Sequence, residues 1–173
     1  RKRHKRRYVT SFFYRQQGIE TLVTSCPICL RVFREDYRLE GIEVLHHSEY
    51  IQRLLKAHRI DPKIGDLNFT YHDPCELGRG SGIYDAPREV IAAVGRLTEV
   101  AENREKALCC GSSLANIAID DDGQRKIGEI VAAAFAATGA DAVVTACPLC
   151  KKGIARGNSM PVYDLAEIVA QAL

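Results

Sequence analysis

One segment of the chain occurs twice. Gly-Ile-Glu-Thr-Leu-Val-Thr-Ser-Cys-Pro-Ile-Cys, from Gly18 to Cys29, matches Gly-Ala-Asp-Ala-Val-Val-Thr-Ala-Cys-Pro-Leu-Cys, from Gly139 to Cys150, at a constant offset of 121 residues. After a three-residue deletion the match resumes, pairing Val44 with Val162, Glu49 with Glu167 and Ile51 with Val169. A repeat of this kind predicts two copies of one supersecondary unit. Each copy reads as strand, cysteine turn, helix, strand, helix.

Thr21–Thr24 and Ala142–Thr145 are short β-prone runs that follow a glycine, as buried parallel strands do. A proline after the first cysteine suits the first turn of a helix and puts the thiols at its N-terminal end. That end carries positive partial charge and free N–H groups, which favour thiolates. Val44-Leu45 and Val162-Tyr163 are the second strands, and Ser48–Ala57 and Leu165–Ala172 the closing helices.

Between the copies, Asp61–Gly65 reads as a linker broken by Pro62. Asn68–His72 is a further strand that ends at Asp73-Pro74-Cys75. A loop, Gly78-Arg79-Gly80-Ser81-Gly82, leads to a helix from Ala86 to Gly95 with Pro87 near its start. Leu97–Val100 is another strand, and Gln124–Thr138 a helix stopped by Gly139. The expected fold is α/β: two pseudo-repeated Rossmann-like modules with short parallel sheets, the first incomplete. Residues 1–64 would be the C-terminal part of the first module and 65–173 a complete second one. On that reading Arg3–Gln17 corresponds to the helix Gln124–Thr138. First-copy counterparts of Cys75, Cys109 and Cys110 fall before residue 1, so the chain is expected to be part of a longer polypeptide.

Composition narrows the class. With 46% hydrophobic and 27% charged residues, the 173-residue chain is globular in type. Its longest apolar stretch, Ile130–Thr138, is too short to span a bilayer, and no signal peptide is readable. Six of the 24 basic side chains lie within Arg1–Arg7, leaving 18 against 22 acidic ones elsewhere. Basic residues confined to one terminal run, on an acidic body, argue against nucleic acid as a partner.

Seven cysteines stand at 26, 29, 75, 109, 110, 147 and 150. An odd count, one Cys-Cys pair and two Cys-x-x-Cys pairs suit thiolate ligands in a reducing compartment better than a secreted disulfide framework. The expected location is therefore cytoplasmic, with a peripheral position on the cytoplasmic side of the membrane also open.

Five of these cysteines occur in a set order: Cys75, then Cys109-Cys110-Gly111, then Cys147-Pro148-Leu149-Cys150. This resembles the cysteine-rich CCG domain of the heterodisulfide reductase catalytic subunit and related iron–sulfur oxidoreductases. Those include subunits of lactate, glycolate and glycerol-3-phosphate oxidation systems and of sulfur-metabolism membrane complexes. The resemblance covers Asn68–Leu173 in full and Arg7–Ala57 in part. It implies a non-cubane [4Fe-4S] cluster held by Cys75, Cys109, Cys110, Cys147 and Cys150. It also implies electron transfer with other redox subunits, of flavoprotein or ferredoxin type and in some cases membrane-bound. The terminal acceptor would be a disulfide or a quinone-linked carrier.

Ligand chemistry points the same way. Thiolates are soft ligands that select zinc, copper(I) or iron–sulfur clusters, and a tetrahedral zinc site needs only four. A zinc-stabilised, non-catalytic assembly module remains the alternative. Cys26 and Cys29 make a second, incomplete site of two thiols.

Around the cysteines, His72 is the candidate catalytic residue, placed to shuttle protons near its unperturbed pKa. Arg79 and Arg88 would neutralise an anionic cluster, grip an anionic substrate, or form a solvated surface pair. Gly111 offers a positive φ beside a bulky ligand. Gly78-x-Gly80-x-Gly82 lacks dinucleotide-loop spacing and is expected to wrap the cluster and offer it N–H groups. His46 and His47, adjacent in extended chain, would point to opposite faces and make poor joint metal ligands.

Overall fold

The computed structural model describes residues 13–37, 39–112 and 118–173. Of the helix expected over Arg3–Gln17, only residues 13–17 are described; 13–16 are helical, and the rest lies outside the described residues.

The first copy opens with β1 (Thr21–Thr24), followed by α1 (Pro27–Arg31), which runs into a π-helical turn over Val32–Tyr37. Then come β2 (Glu43–His46) and α2 (His47–Lys56). The second unit begins with β3 (Asn68–His72), the single turn α3 (Gly78–Ser81) and α4 (Asp85–Ala92). Next are β4 (Arg96–Leu97), a 3-10 turn at Arg104–Lys106, and α5 (Asp121–Ala136). The second copy of the repeat closes the chain with β5 (Ala142–Thr145), α6 (Pro148–Gly157), β6 (Val162–Asp164) and α7 (Leu165–Ala172). The chain is α/β, with a two-stranded and a four-stranded sheet, both parallel.

The four-stranded sheet has the order β4-β3-β5-β6. Chain order reverses between β3 and β5, the topological switch point at whose C-terminal edge α/β sheets bind their ligands. The register pairs His72 with Thr145, so Cys75 and Cys147 emerge from neighbouring strands at the same edge. In the two-stranded sheet, Thr21–Thr24 pair with Glu43–His46.

Apolar periodicity explains how the layers close. Leu30, Ile42 and Val44 of the first copy share one buried cluster with Phe69, Tyr71, Ile91, Val144 and Ile168 of the second unit. Helix α2 packs on α4, and α4 on α7. A separate cluster on the other face gathers Val131 and Phe135 of α5 with Val143, Ile154, Cys110, Cys147 and Cys150. Each fully buried Leu or Val contributes about 1.5–3 kcal/mol relative to exposure.

Some elements differ from expectation. Strand β4 covers only Arg96–Leu97; Thr98 still donates its N–H to the Phe69 carbonyl at 2.8 Å, and the chain then leaves the sheet. The Gly78–Gly82 loop is a helical turn closed by Gly82 at φ +70. His46 and His47 do not diverge: their rings meet at 4.3 Å. His46 caps α2 and His47 is its first residue, so the chain bends there and the alternation of an extended strand does not apply.

Candidate metal centre

Two strand ends and one returning loop bring the cysteines together. Cys147 caps α6 with Pro148 in the first turn, and Cys150 lies three residues on. The Cys109–Ser112 segment lies against α6, where a Cβ on Gly153 would overlap Ser112 and stand 3.3 Å from the Cys110 carbonyl. Sequence reasoning missed Gly153; a glycine inside an otherwise good helix was the available signal. Gly111 has φ +75, and a Cβ there would meet Ile127 at 3.0 Å, so glycine is required at the turn after the cysteine pair.

The five thiols form a continuous chain of contacts. Cys75 meets Cys109, and Cys109 meets Cys110. Cys110 Sγ lies 3.2 Å from Cys150 Sγ, and Cys150 meets Cys147. Cys110, Cys147 and Cys150 are buried. Hydrogen bonding to Cys109 holds the Cys75 thiol well above its usual range, and burial adds to this. Cys110 is pushed up to about 11, mainly by its contact with Cys109. Cys150 is also raised, by its contacts with Cys110 and Cys147 and by burial. Cys147 is lowered, to about 7, by the hydrogen bond from Cys150 and, against desolvation, by N–H groups of Cys150 and Leu149 at the helix start.

These residues fit a bound metal group. Neighbouring thiolates repel, so five of them cannot be ionised together without a compensating cation. Metal binding drives such deprotonation, and soft sulfur donors select zinc, copper(I) or iron–sulfur iron. The donor set suits a polynuclear cluster.

His72 stands beside these sulfurs. It is buried, and a ring nitrogen lies within 4.8 Å of the Cys110 and Cys150 sulfurs, which lie within the same distance of each other. Nδ1 faces Thr145 Oγ1 at 3.2 Å. Burial lowers its pKa to about 4 against the opposing pull of Asp73 and the Leu108 backbone, so the ring is neutral near pH 7. Its edge meets Phe135, with ring centroids 6.0 Å apart. His72, Leu108, Val100, Val131 and Phe135 line a cavity of about 680 Å³ that Glu99 and Glu102 also border.

The arginines behave differently from a cluster-neutralising pair. Arg88 is buried and gives both terminal nitrogens to Asp73 at 2.8 Å, while Nε and Nη2 meet Glu99 at 2.6 and 3.0 Å. Its charge is spent on two carboxylates, and it also stacks 5.2 Å from the Tyr71 ring centroid. Asp73 in turn accepts from the Arg104 N–H at 2.8 Å, tying down the chain between His72 and Cys75. Arg79 donates to the carbonyls of Glu105 and Ala107, anchoring the segment that leads into Cys109.

Cys26 and Cys29 contact each other. Cys29 is exposed, and its N–H approaches Cys26 Sγ at 3.5 Å across the first turn of α1. A buried histidine links the two cysteine turns: His46 Nε2 stands 3.4 Å from the Ser25 carbonyl and also interacts with the Ala146 backbone.

The fold and thiol cluster define a cysteine-rich α/β domain suited to a soft metal. Residues 69–155 match the CCG cysteine-rich domain, and the chain belongs to that family. It is 33% identical to a subunit of the dihydromethanophenazine:CoB–CoM heterodisulfide reductase of Methanosarcina mazei, over 92% of this chain and 42% of that protein. It is 30% identical to the EtfAB:quinone oxidoreductase of Syntrophomonas wolfei, over 92% of this chain and 25% of the relative. A third relative, the Bacillus subtilis protein named "Probable iron-sulfur-binding oxidoreductase FadF", is 26% identical over 92% of this chain and 24% of its own length. The chain thus spans less than half the length of these relatives. No helix among the described residues is long and apolar enough to cross a membrane.

Proposed function

We propose that the chain is the electron-transferring, cysteine-rich part of an iron–sulfur oxidoreductase of the heterodisulfide-reductase type. Cys75, Cys109, Cys110, Cys147 and Cys150 would hold a [4Fe-4S] cluster of the non-cubane kind. The observation that carries this reading is the unbroken run of contacts that joins five sulfurs at the switch point of the sheet. A fifth thiol in contact is surplus to zinc and useful to a cluster.

When bound, the cluster supplies one-electron chemistry; the chain's own residues bind and shield it. The lowered pKa of the Cys147 thiol at the helix start suits it to bind a metal as thiolate. The Arg88–Asp73–Glu99 network fixes the chain before Cys75, and Arg79 fixes the approach to Cys109. Electrons would come from a flavoprotein or ferredoxin-type subunit and leave to a disulfide or quinone-linked acceptor. The carriers that give two relatives their names, the CoB–CoM heterodisulfide and a quinone, support both kinds of acceptor. The location that follows is the cytoplasm or the cytoplasmic membrane surface. Residues 1–64 would belong to a first module of the same type.

The test is anaerobic purification of the full-length protein with iron and acid-labile sulfide assays. Brown protein whose iron falls on Cys110→Ser is the expected result. Colourless protein carrying one zinc would overturn the reading in favour of a structural zinc module.

A further inference from the structure

We propose that His72 is a sixth protein ligand of the metal centre, binding through Nε2 beside Cys110 and Cys150. This inference rests on the iron–sulfur reading above and gives His72 a ligand's role in place of the expected proton relay. Hydrogen-bond directions carry it. Thr145 Oγ1 is placed to donate to the His72 carbonyl, at 3.5 Å. What it then presents to His72 Nδ1, at 3.2 Å, is a lone pair. In that arrangement Nδ1 carries the ring proton, and Nε2 keeps a bare lone pair. That lone pair is buried and has no hydrogen-bond partner among the described residues.

A buried acceptor without a partner is rare, because it has given up water for nothing. The nearest chemistry able to use it is the thiol cluster: Cys110, Cys150 and a ring nitrogen of His72 form a tight group of donor atoms. Metal-bound histidines characteristically have their second nitrogen anchored as an N–H donor, and Thr145 supplies that anchor. Thr145 is no incidental neighbour. It pairs with His72 across β3 and β5, so the sheet register itself brings its hydroxyl to the ring. Imidazole nitrogen also replaces thiolate on iron in some iron–sulfur centres, so the donor type is chemically suited. The competing arrangement is an Nε2–H directed at the Leu108 carbonyl, which lies near the ring.

Selective labelling decides between them. The full-length protein is made with [15N]histidine, its cluster is brought to a paramagnetic state, and pulsed electron paramagnetic resonance is recorded. A coordinated histidine nitrogen in the wild type, lost in His72→Gln at retained iron content, is the expected result. No directly bound nitrogen in the wild type, or one that persists in His72→Gln, overturns the assignment and leaves the Leu108 arrangement. Should His72→Gln lose the cluster, Thr145→Val serves as the second variant, since it removes the anchor and leaves the ring. It should keep iron and alter the nitrogen coupling, and an unaltered coupling counts against the proposal. Failure of the iron–sulfur reading has a separate signature, the absence of iron and sulfide. His72 is then tested with Co2+ added to the apoprotein. A mixed nitrogen–sulfur ligand-field spectrum that shifts in His72→Gln supports the ligand, and an unshifted one refutes it.

Discussion

The two copies of the repeat share a cysteine turn but not a setting. In β5 all four residues are buried, with Val143 and Val144 fully covered, because the strand runs between β3 and β6. In β1 the pattern is half-exposed, and Val23, the counterpart of Val144, is 39% exposed in a sheet of two strands. The cysteines follow their strands. Cys147 and Cys150 are buried among other thiols, whereas Cys29 is exposed and Cys26 partly so. A Cys-Pro-x-Cys turn alone thus orients two thiols at a helix start and does little more. The chemistry comes from what is laid beside it: a neighbouring strand that ends in Cys75 and a loop that returns Cys109-Cys110.

The most severe way to break this contrast is to remove one sulfur from each copy. Cys110→Ser should abolish most bound iron, since a hard oxygen replaces a soft ligand at the centre of the contact chain. Cys26→Ser, in the other copy, should spare the cluster of the five cysteines, followed by that cluster's own spectroscopic signal. Loss of that one signal in both variants would mean that both turns serve one site.

Next in size is the support of β3, the strand for which the first copy has no described counterpart. Arg88→Ala strands the buried Asp73 carboxylate and removes its clamp on the segment before Cys75. Breaking a buried pair in this way costs about 3 kcal/mol or more. Urea unfolding of the apoprotein measures it, and a loss below about 1 kcal/mol would show that Glu99 and Asp73 relax without the cation.

A paired core substitution sharpens the same comparison at smaller scale. Val144→Ala, at a fully buried site, should cost about 2 kcal/mol in transfer and cavity terms, while Val23→Ala on β1 should cost a few tenths. Similar costs would indicate that β1 is covered in the protein in solution.

Much of this contrast was legible in advance. The repeat exposed the shared turn, and the Cys75, Cys109-Cys110 and Cys147/Cys150 order predicted which thiols would gather. The features that escaped depend on partners far apart in the chain. The sequence leaves Arg88 open between a cluster-neutralising, a substrate-gripping and a surface role because its two carboxylates, Asp73 and Glu99, lie 15 and 11 residues away. The meeting of His46 and His47 depends on where the strand stops, and end positions are poorly encoded by propensity. The His72 ring meets a hydroxyl 73 residues away, that of Thr145. Gly153 has a helical neighbourhood that disguises its purpose, which is to admit Ser112.

The smallest predicted effect separates the two capping residues at the second strand of each copy. His46 caps α2 and Asp164 caps α7, each in a capping box with a glutamate, Glu49 or Glu167, three residues on. The His46 cap accepts the Ser48 N–H through Nδ1 and so works only when the ring is neutral there. Burial is the main force that lowers its pKa to about 3, with the nearby His47 adding to it. The unfolded chain then binds the proton more readily than the folded one. Stability from this group is complete above the ordinary histidine pKa and declines as pH falls from about 6.5 toward 3. Asp164, held low against desolvation by its contact with His47, keeps its contribution until more acidic pH. Between pH 7.5 and 5.5 the His46 contribution should fall by about 1 kcal/mol, from a slope of at most about 1.4 kcal/mol per pH unit. His72 shifts in the same sense, so the comparison must be made against His46→Asn, which retains a capping side chain without the titration. Urea midpoints at the two pH values should converge in His46→Asn relative to the wild type. An identical pH dependence in both proteins would show that the first copy's cap accepts protonation without loss.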